Sequence, residues 1–284
     1  MEENKKPKIA FALGGGGALG IAHIGALQVL HEAGIEPSLV VGTSVGACMG
    51  AYYALGHDLK KLEDEVVRAS HRWALRQLID VSLLRGALLK GKKLESFLIR
   101  LVGDQPFSKT KMPVIAIATD LATGDAVVLR RGRLIPALLA SSAVPGIFPA
   151  VKMGKKYLID GGVVCPTPIE YALAEKPDLV IGIDLFYRRN IKLDRQPKLA
   201  ETLTLAYEIM RTQGDLARTC VASPKVICIK PEFKQLNVVS NFRFDDGMAY
   251  IKAGRKAATE ALPYIKEKLA ILAKDNRVGV VKNG

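Results

Sequence analysis

Short, wholly apolar runs set the rhythm of this chain. Ile9–Leu13 is an apolar run that ends in four glycines, and Leu39–Val41 is an apolar run stopped by Gly42. Runs this short and this uniform predict strands buried on both faces. Each is followed by a helical stretch. Ala18 to Ala33 predicts a helix with Gly34 as its C-terminal stop, and Val45 to Leu55 predicts a helix of small residues. Strand, glycine loop, helix, strand, turn, helix is the opening of a parallel α/β sheet.

The pattern continues downstream. Val114–Ala118 predicts a third buried strand, paired with Ala126–Leu129 across the Thr123-Gly124-Asp125 turn. Leu134 to Ser142 predicts a helix, Tyr157–Ile159 a strand and Leu179–Asp184 another buried strand. Leu199 to Arg218 predicts a helix, Lys225–Ile229 a last strand, and Asp246 to Ala273 a last helix interrupted near Pro263. Leu59 to Val102 is helical and more charged, with apolar residues at helical spacing around Trp73, Leu75, Leu78, Ile79, Leu83 and Leu84. An amphipathic helix pair covering the sheet is the simpler reading, and a cap or lipid-facing surface the other. No internal repeat or Pro/Gly/Ser-rich linker divides the chain. We therefore expect one domain over 8–273, between an N-terminal tail 1–7 and a C-terminal tail 274–284.

Two uncharged stretches, Pro37 to Gly56 and Leu134 to Val151, approach the length of a membrane span. The first reads as strand, turn and helix. The second holds Pro136, Pro145 and Pro149, which would break a lipid-exposed helix. Both are read as buried core. A signal peptide starting at the charged Met1 to Lys8 would need an apolar helix running through Gly14 to Gly17, which glycine disfavours. A cytoplasmic location is the expectation.

Composition narrows the chemistry. At 284 residues and 49% hydrophobic, the chain can bury a sizeable core, and disorder is excluded for most of it. With aromatics at 6%, that core must rest on Ala, Val, Ile and Leu. Four cysteines with no Cys-x-x-Cys pair suit neither a disulfide scaffold nor a zinc cluster, so no metal or cofactor is expected. The net charge of +13 is spread out, with six basic and no acidic residues over Arg130 to Lys156. No nucleic-acid motif accompanies it. A solvated basic surface explains it, and peripheral contact with an anionic membrane is compatible with it. Nothing in the sequence indicates an oligomeric state.

Three local patterns carry chemistry. The first is Gly14-Gly15-Gly16-Gly17-Ala18-Leu19-Gly20, between a strand and a helix. Its backbone N–H groups can converge on a pyrophosphate or on a reaction oxyanion. A dinucleotide site needs an acid at the end of the second strand. Glu32 and Glu36 precede that strand, and Gly42-Thr43-Ser44 ends it. The oxyanion reading survives. The second pattern is Gly42-Thr43-Ser44-Val45-Gly46, a G-x-S-x-G turn that would expose the Ser44 hydroxyl as a nucleophile; an ordinary helix cap is the competing reading. The histidines are His23, His31, His57 and His71, so a Ser–Asp–His order would need its acid among Asp58, Glu63, Asp64 and Glu65, all on or beside one polar helix start, which argues against a triad. A carboxylate acting directly on serine is the simplest remaining base. The third pattern, Leu158-Ile159-Asp160-Gly161-Gly162, puts Asp160 at a strand end from which it could reach Ser44; a plain turn aspartate is the alternative.

Together, these patterns resemble the patatin-like phospholipase family, specifically its short bacterial members, over roughly Lys8 to Pro168. Gly-Ile-Ala-His-Ile-Gly (20–25), Ala-Thr-Asp-Leu-Ala-Thr-Gly (118–124) and Ala-Ser-Ser-Ala-Val-Pro-Gly-Ile-Phe-Pro (140–149) extend the resemblance. It implies a three-layer α/β sandwich with a central, mostly parallel sheet. It also implies a serine lipid acyl hydrolase that cleaves carboxylic esters of lipids or phospholipids. On this chain it makes Ser44 the nucleophile and Asp160 its base, with Gly15, Gly16 and Gly17 as the oxyanion loop. Gly20, Gly42, Gly46, Gly161 and Gly162 are the supporting glycines, and Asp120 a buried structural residue. Leu19 departs from the pattern, standing where members often carry Arg or Lys. Apolar Val163, Ile147 and Phe148 are expected to desolvate Asp160 and strengthen it as a base. An acyltransferase or thioesterase acting on carrier-bound acyl groups, and a non-catalytic regulatory scaffold, are the alternatives.

Overall fold

Alternate residues of the first strand enter different layers. In β1 (Ile9–Leu13), Ile9, Phe11 and Leu13 join one apolar cluster, while Ala10 and Ala12 join another on the opposite face. A strand's side chains alternate between faces, so a strand covered on both sides must be apolar throughout. The structure is a computed structural model and describes residues 6–68, 89–185, 195–198, 202, 205–211, 223–233 and 246–281, without the side chains of 275–281.

The sheet also contains β2 (Leu39–Thr43), β3 (Val114–Asp120), β4 (Ala126–Leu129), β5 (Val151–Met153), β6 (Lys156–Asp160), β7 (Leu179–Ile183) and β8 (Val226–Ile229). Their order is β5-β6-β3-β2-β1-β7-β8, with β4 attached to β3. The run β3-β2-β1-β7-β8 is parallel. The pairs β3–β4, β3–β6 and β5–β6 are antiparallel. This is the expected three-layer sandwich, with a mostly parallel sheet at its centre.

On the larger face lie α1 (Ala22–Glu32), α2 (Val45–Ala54), α3 (Leu59–Arg68), α4 (Lys92–Val102), α5 (Leu134–Ser141) and α7 (Gly247–Val281). The other face is covered by α6 (Ile169–Ala174), through Ile169 and Ala172. Two close approaches seat α7 on α1. A Cβ on Gly25 would lie 2.0 Å from the Ile251 carbonyl oxygen, and one on Gly254 would lie 1.9 Å from that of Ala22.

Several boundaries differ from expectation. The first helix opens with a 3-10 turn, Gly17–Ile21, and becomes α-helical only at Ala22. Its predicted stop holds: Gly34 has φ 69°, and its N–H donates to the His31 carbonyl. The last helix is not interrupted at Pro263 and continues past Ala273 to Val281. The stretch Leu134 to Val151 is mostly buried through Ala143 but partly exposed beyond it, around Pro145 and Gly146. Among the described residues, no helix is long and apolar enough to cross a membrane. Trp73, Leu75, Leu78, Ile79, Leu83 and Leu84 lie outside the described residues. Of the helix predicted over Leu199 to Arg218, residues 202 and 205–211 are described, and they are helical.

Candidate active site

The end of β2 and the start of α2 meet at Ser44. Its backbone has φ 55° and ψ −126°, a conformation that L-residues rarely adopt. Glycine is required on either side. A Cβ at Gly42 would lie 2.4 Å from the Ala47 nitrogen, and one at Gly46 would lie 2.1 Å from the Leu13 carbonyl oxygen. Ser141, at the end of α5, holds the turn in place. Its hydroxyl accepts from the Ser44 N–H at 2.8 Å and donates to the Ile117 carbonyl at 2.6 Å. The Ser44 side chain makes no cap bond to the helix, so its hydroxyl is spared from capping.

The glycine loop crosses directly over this turn. A Cβ on Gly15 would lie 3.2 Å from the Ser44 Cβ. The three loop glycines are not equivalent. The Gly15 N–H donates to the Pro166 carbonyl at 2.9 Å, so it is not available to an oxyanion. The Gly16 and Gly17 N–H groups have no acceptor among the described residues. Gly17 has φ 57°, which glycine tolerates at low cost. Gly20 lets the following turn approach α2, because a Cβ there would meet Val45 Cγ1 at 2.4 Å. Leu19 is fully buried in the core. Buried His23 steadies the loop through a 2.7 Å bond from Nε2 to the Gly14 carbonyl. Burial lowers its pKa to about 4, so the ring is neutral near pH 7 and donates from Nε2.

Asp160 reaches the site differently from the way its sequence context suggests. It does not end a strand of the parallel set. β6 runs antiparallel to β3, with Asp160 opposite Ala118, while Thr43 of β2 pairs with Ile117. The two site residues therefore flank β3 at neighbouring levels. Gly161 lets the chain turn away: a Cβ there would lie 2.1 Å from the Ile117 carbonyl oxygen. The Asp160 backbone is clamped on both sides. Its N–H donates to Ala143, and its carbonyl accepts from the Thr119 hydroxyl. Oδ1 accepts from the Gly162 N–H at 2.7 Å, and the Ser44 side chain is near enough to help lower the pKa of the carboxylate.

Asp160 is 1% exposed and Ser44 6%. Burial pushes the Asp160 pKa up to about 6; Arg211, Ser44 and Gly162 pull in the opposite direction. Val163, expected to supply the apolar surround, is 37% exposed. The expected burial exists, but helical residues 205–211 contribute to the surroundings. Arg211 is 5% exposed. Its Nη1 lies 3.5 Å from where a Cβ on Gly15 would sit and 3.0 Å from the corresponding point on Gly162. Its Nη2 binds both carboxylate oxygens of Glu208, at 2.8 and 2.7 Å, and its guanidinium lies 5.3 Å from the Tyr207 ring centroid.

Ser44, Asp160 and the glycine loop are thus brought together. Asp120 stands apart, buried and paired with Lys156 at 2.9 Å, and its oxygen caps the following turn at the Ala122 N–H. Arg211 and Ser141 were not singled out by the motifs. Ser141 lies within the 140–149 stretch, whereas Arg211 sits in a predicted helix with no local pattern to mark it. Among the described residues, no group of three His, Cys, Asp or Glu side chains could hold a metal ion.

Comparison with known proteins agrees with this architecture. The family model for patatin-like phospholipase matches residues 11–173. An uncharacterized NTE family protein of Mycobacterium tuberculosis is 34% identical over 182 residues, covering 64% of this chain and 50% of that protein. Mouse patatin-like phospholipase domain-containing protein 6 is 30% identical over 185 residues, covering 62% of this chain and 13% of that protein. The chain thus spans half or less of the length of these curated relatives. Among solved structures, VipD from Legionella pneumophila superposes with a TM-score of 0.60 at 14% identity, covering 92% of this chain and 67% of that one. Human GIVD cytosolic phospholipase A2 superposes with a TM-score of 0.53 at 13% identity, covering 96% and 61%. With the matched residues running from β1 through α6, and so including the glycine loop, Ser44 and Asp160, this chain belongs to the patatin-like phospholipase family.

Proposed function

We propose that this chain is a serine lipid acyl hydrolase that cleaves carboxylic esters of lipids or phospholipids through a Ser44–Asp160 dyad. One observation carries the reading: the strained Ser44 turn stands beside a buried carboxylate, that of Asp160, whose pKa is raised to about 6. Such an aspartate is ionised at neutral pH yet basic enough to accept a proton. The names of the relatives, phospholipases among them, agree with a lipid ester as substrate.

In the first step Asp160 takes the hydroxyl proton as Ser44 Oγ attacks the ester carbonyl carbon. The Gly16 and Gly17 N–H groups donate to the oxygen that becomes negative. In comparable sites a single such donor contributes about 3–4 kcal/mol to the transition state. The positive end of α2, which begins next to Ser44, favours the same charge. The tetrahedral intermediate collapses, and the departing alcohol takes its proton from Asp160. Water then attacks the acyl-Ser44 ester while Asp160 accepts the water's proton. Collapse returns a proton to Ser44 and releases the fatty acid.

The test is a panel of phospholipid and neutral lipid esters assayed with wild type beside Ser44→Ala and Asp160→Asn. Fatty acid release by wild type, with loss of at least 100-fold in either variant, is expected on the scale of oxyanion and acid–base contributions (~10²–10⁴). Near-native turnover in either variant would sink the dyad.

A further inference from the structure

The groups around Asp160 come from three elements. From the start of α2 come the Ser44 hydroxyl and the Cys48 thiol, the latter buried, with its pKa pushed up to about 12 mainly by desolvation. From the turn after β6 comes the Gly162 N–H. From residues 205–211 come Arg211, Glu208 and Tyr207, all close enough to act on the Asp160 charge or to be acted on by it. Of these, Arg211 alone is a cation.

Its placement is specific. The guanidinium lies against two glycines, in ordinary contact with Gly15 on the oxyanion loop and close to where a Cβ on Gly162, beside the base, would sit. It is itself held by both oxygens of Glu208 and by the face of Tyr207. A buried arginine fixed at this depth costs desolvation that its partners must offset. Burial opposes the Arg211 charge, and Glu208, Tyr207 and Asp160 together outweigh it. None of the glycine, serine or aspartate motifs contains this residue.

We propose that Arg211 is a positioning residue for the reaction: lodged between Gly15 and Gly162, it holds the Asp160 carboxylate in its ionised, proton-accepting form beside Ser44. Glu208 sets the strength of that effect, because its negative charge fixes the guanidinium and opposes it at the same time. Arg211 acts through Asp160. This inference rests on the proposed role of Asp160 as base, so its test needs a readout that does not depend on turnover.

That readout is the titration of Asp160 by NMR of protein carrying 13C-labelled aspartate carboxyls, with the signal assigned by its loss in Asp160→Asn. Removing an opposite charge this close moves a carboxylate pKa by about one unit or more. Arg211→Gln is therefore expected to shift the Asp160 midpoint upward by at least that much, and Arg211→Lys to restore most of the difference. Glu208→Gln is expected to move it downward. Thermal unfolding shows whether each variant is folded; if Arg211→Gln is not, the downward shift in Glu208→Gln decides. The acid limb of kcat/KM is expected to follow each titration. A midpoint that stays within 0.3 units of wild type in folded Arg211→Gln, or in Glu208→Gln where Arg211→Gln does not fold, overturns the proposal (~0.4 kcal/mol or less). Moved midpoints in a protein that hydrolyses no lipid ester would uphold Arg211 and contradict the hydrolase reading instead.

Discussion

Ser44 adopts a backbone conformation suited to glycine, and Asp160 carries its charge while buried. Strain of the first kind costs on the order of 1–3 kcal/mol. Glycine would relieve it, less the roughly 0.5–1 kcal/mol that its extra freedom in the unfolded chain takes back. Both Ser44→Ala and Ser44→Gly lack the hydroxyl, but only alanine keeps the strain. Ser44→Gly is therefore expected to be more stable than Ser44→Ala by about 1 kcal/mol in urea unfolding. The Asp160 pKa rises from 3.8 in the unfolded reference to about 6 in the fold, chiefly through burial. The sign follows directly: the fold prefers the protonated form. Stability from this group is full below 3.8, falls as pH rises through about 6, and is flat above. Asp160→Asn cannot titrate, so it is expected to gain on wild type between those values, by about 3 kcal/mol at pH 7. The activity of wild type should run the other way, with kcat/KM rising through an apparent pKa near 6 as the base ionises.

At the scale of elements, close backbone approach organises the fold. Gly25 and Gly254 let α1 and α7 touch backbone to backbone, whereas Gly34, at φ 69°, has open space where a Cβ would go. Gly25→Ala should cost several kcal/mol, beyond the ~1–3 kcal/mol of ordinary overpacking, because the atom it meets is a backbone carbonyl. Gly34→Ala should cost only about 1 kcal/mol, the strain of a left-handed alanine. Thermal unfolding of the two variants side by side checks the contrast. Elements of this kind differ in how plainly they are written. Four of the five parallel strands were legible because burial on both faces leaves an unbroken apolar run, whereas the edge strand β8 is only partly buried. The direction of β6 was not, because its three predicted residues, Tyr157–Ile159, say nothing about which way they pair. Pro263 looked like a break because a mid-helix proline removes one backbone bond, yet the helix continues. The serine turn and glycine loop stood out from local spacing, although their roles were named only through the family resemblance. Arg211 was not, since only tertiary folding brings residues 205–211 to the loop that begins at Gly14.

For the whole molecule, charge bears on where a lipid hydrolase would work. A net charge of +13 favours anionic over neutral surfaces without demanding contact with either. Sedimentation with vesicles is expected to capture the protein on phosphatidylglycerol-containing membranes at about 0.05 M salt and to release most of it at about 0.5 M, where screening is stronger. Equal binding to neutral phosphatidylcholine vesicles at both salts would contradict this. The most direct test of the central claim, that Ser44 is the nucleophile activated by Asp160, is covalent labelling with an alkyl fluorophosphonate followed by peptide mass spectrometry. The predicted result is a single adduct on Ser44 in wild type, formed far more slowly in Asp160→Asn and absent in Ser44→Ala. An adduct on another residue, or undiminished labelling in Asp160→Asn, would contradict it.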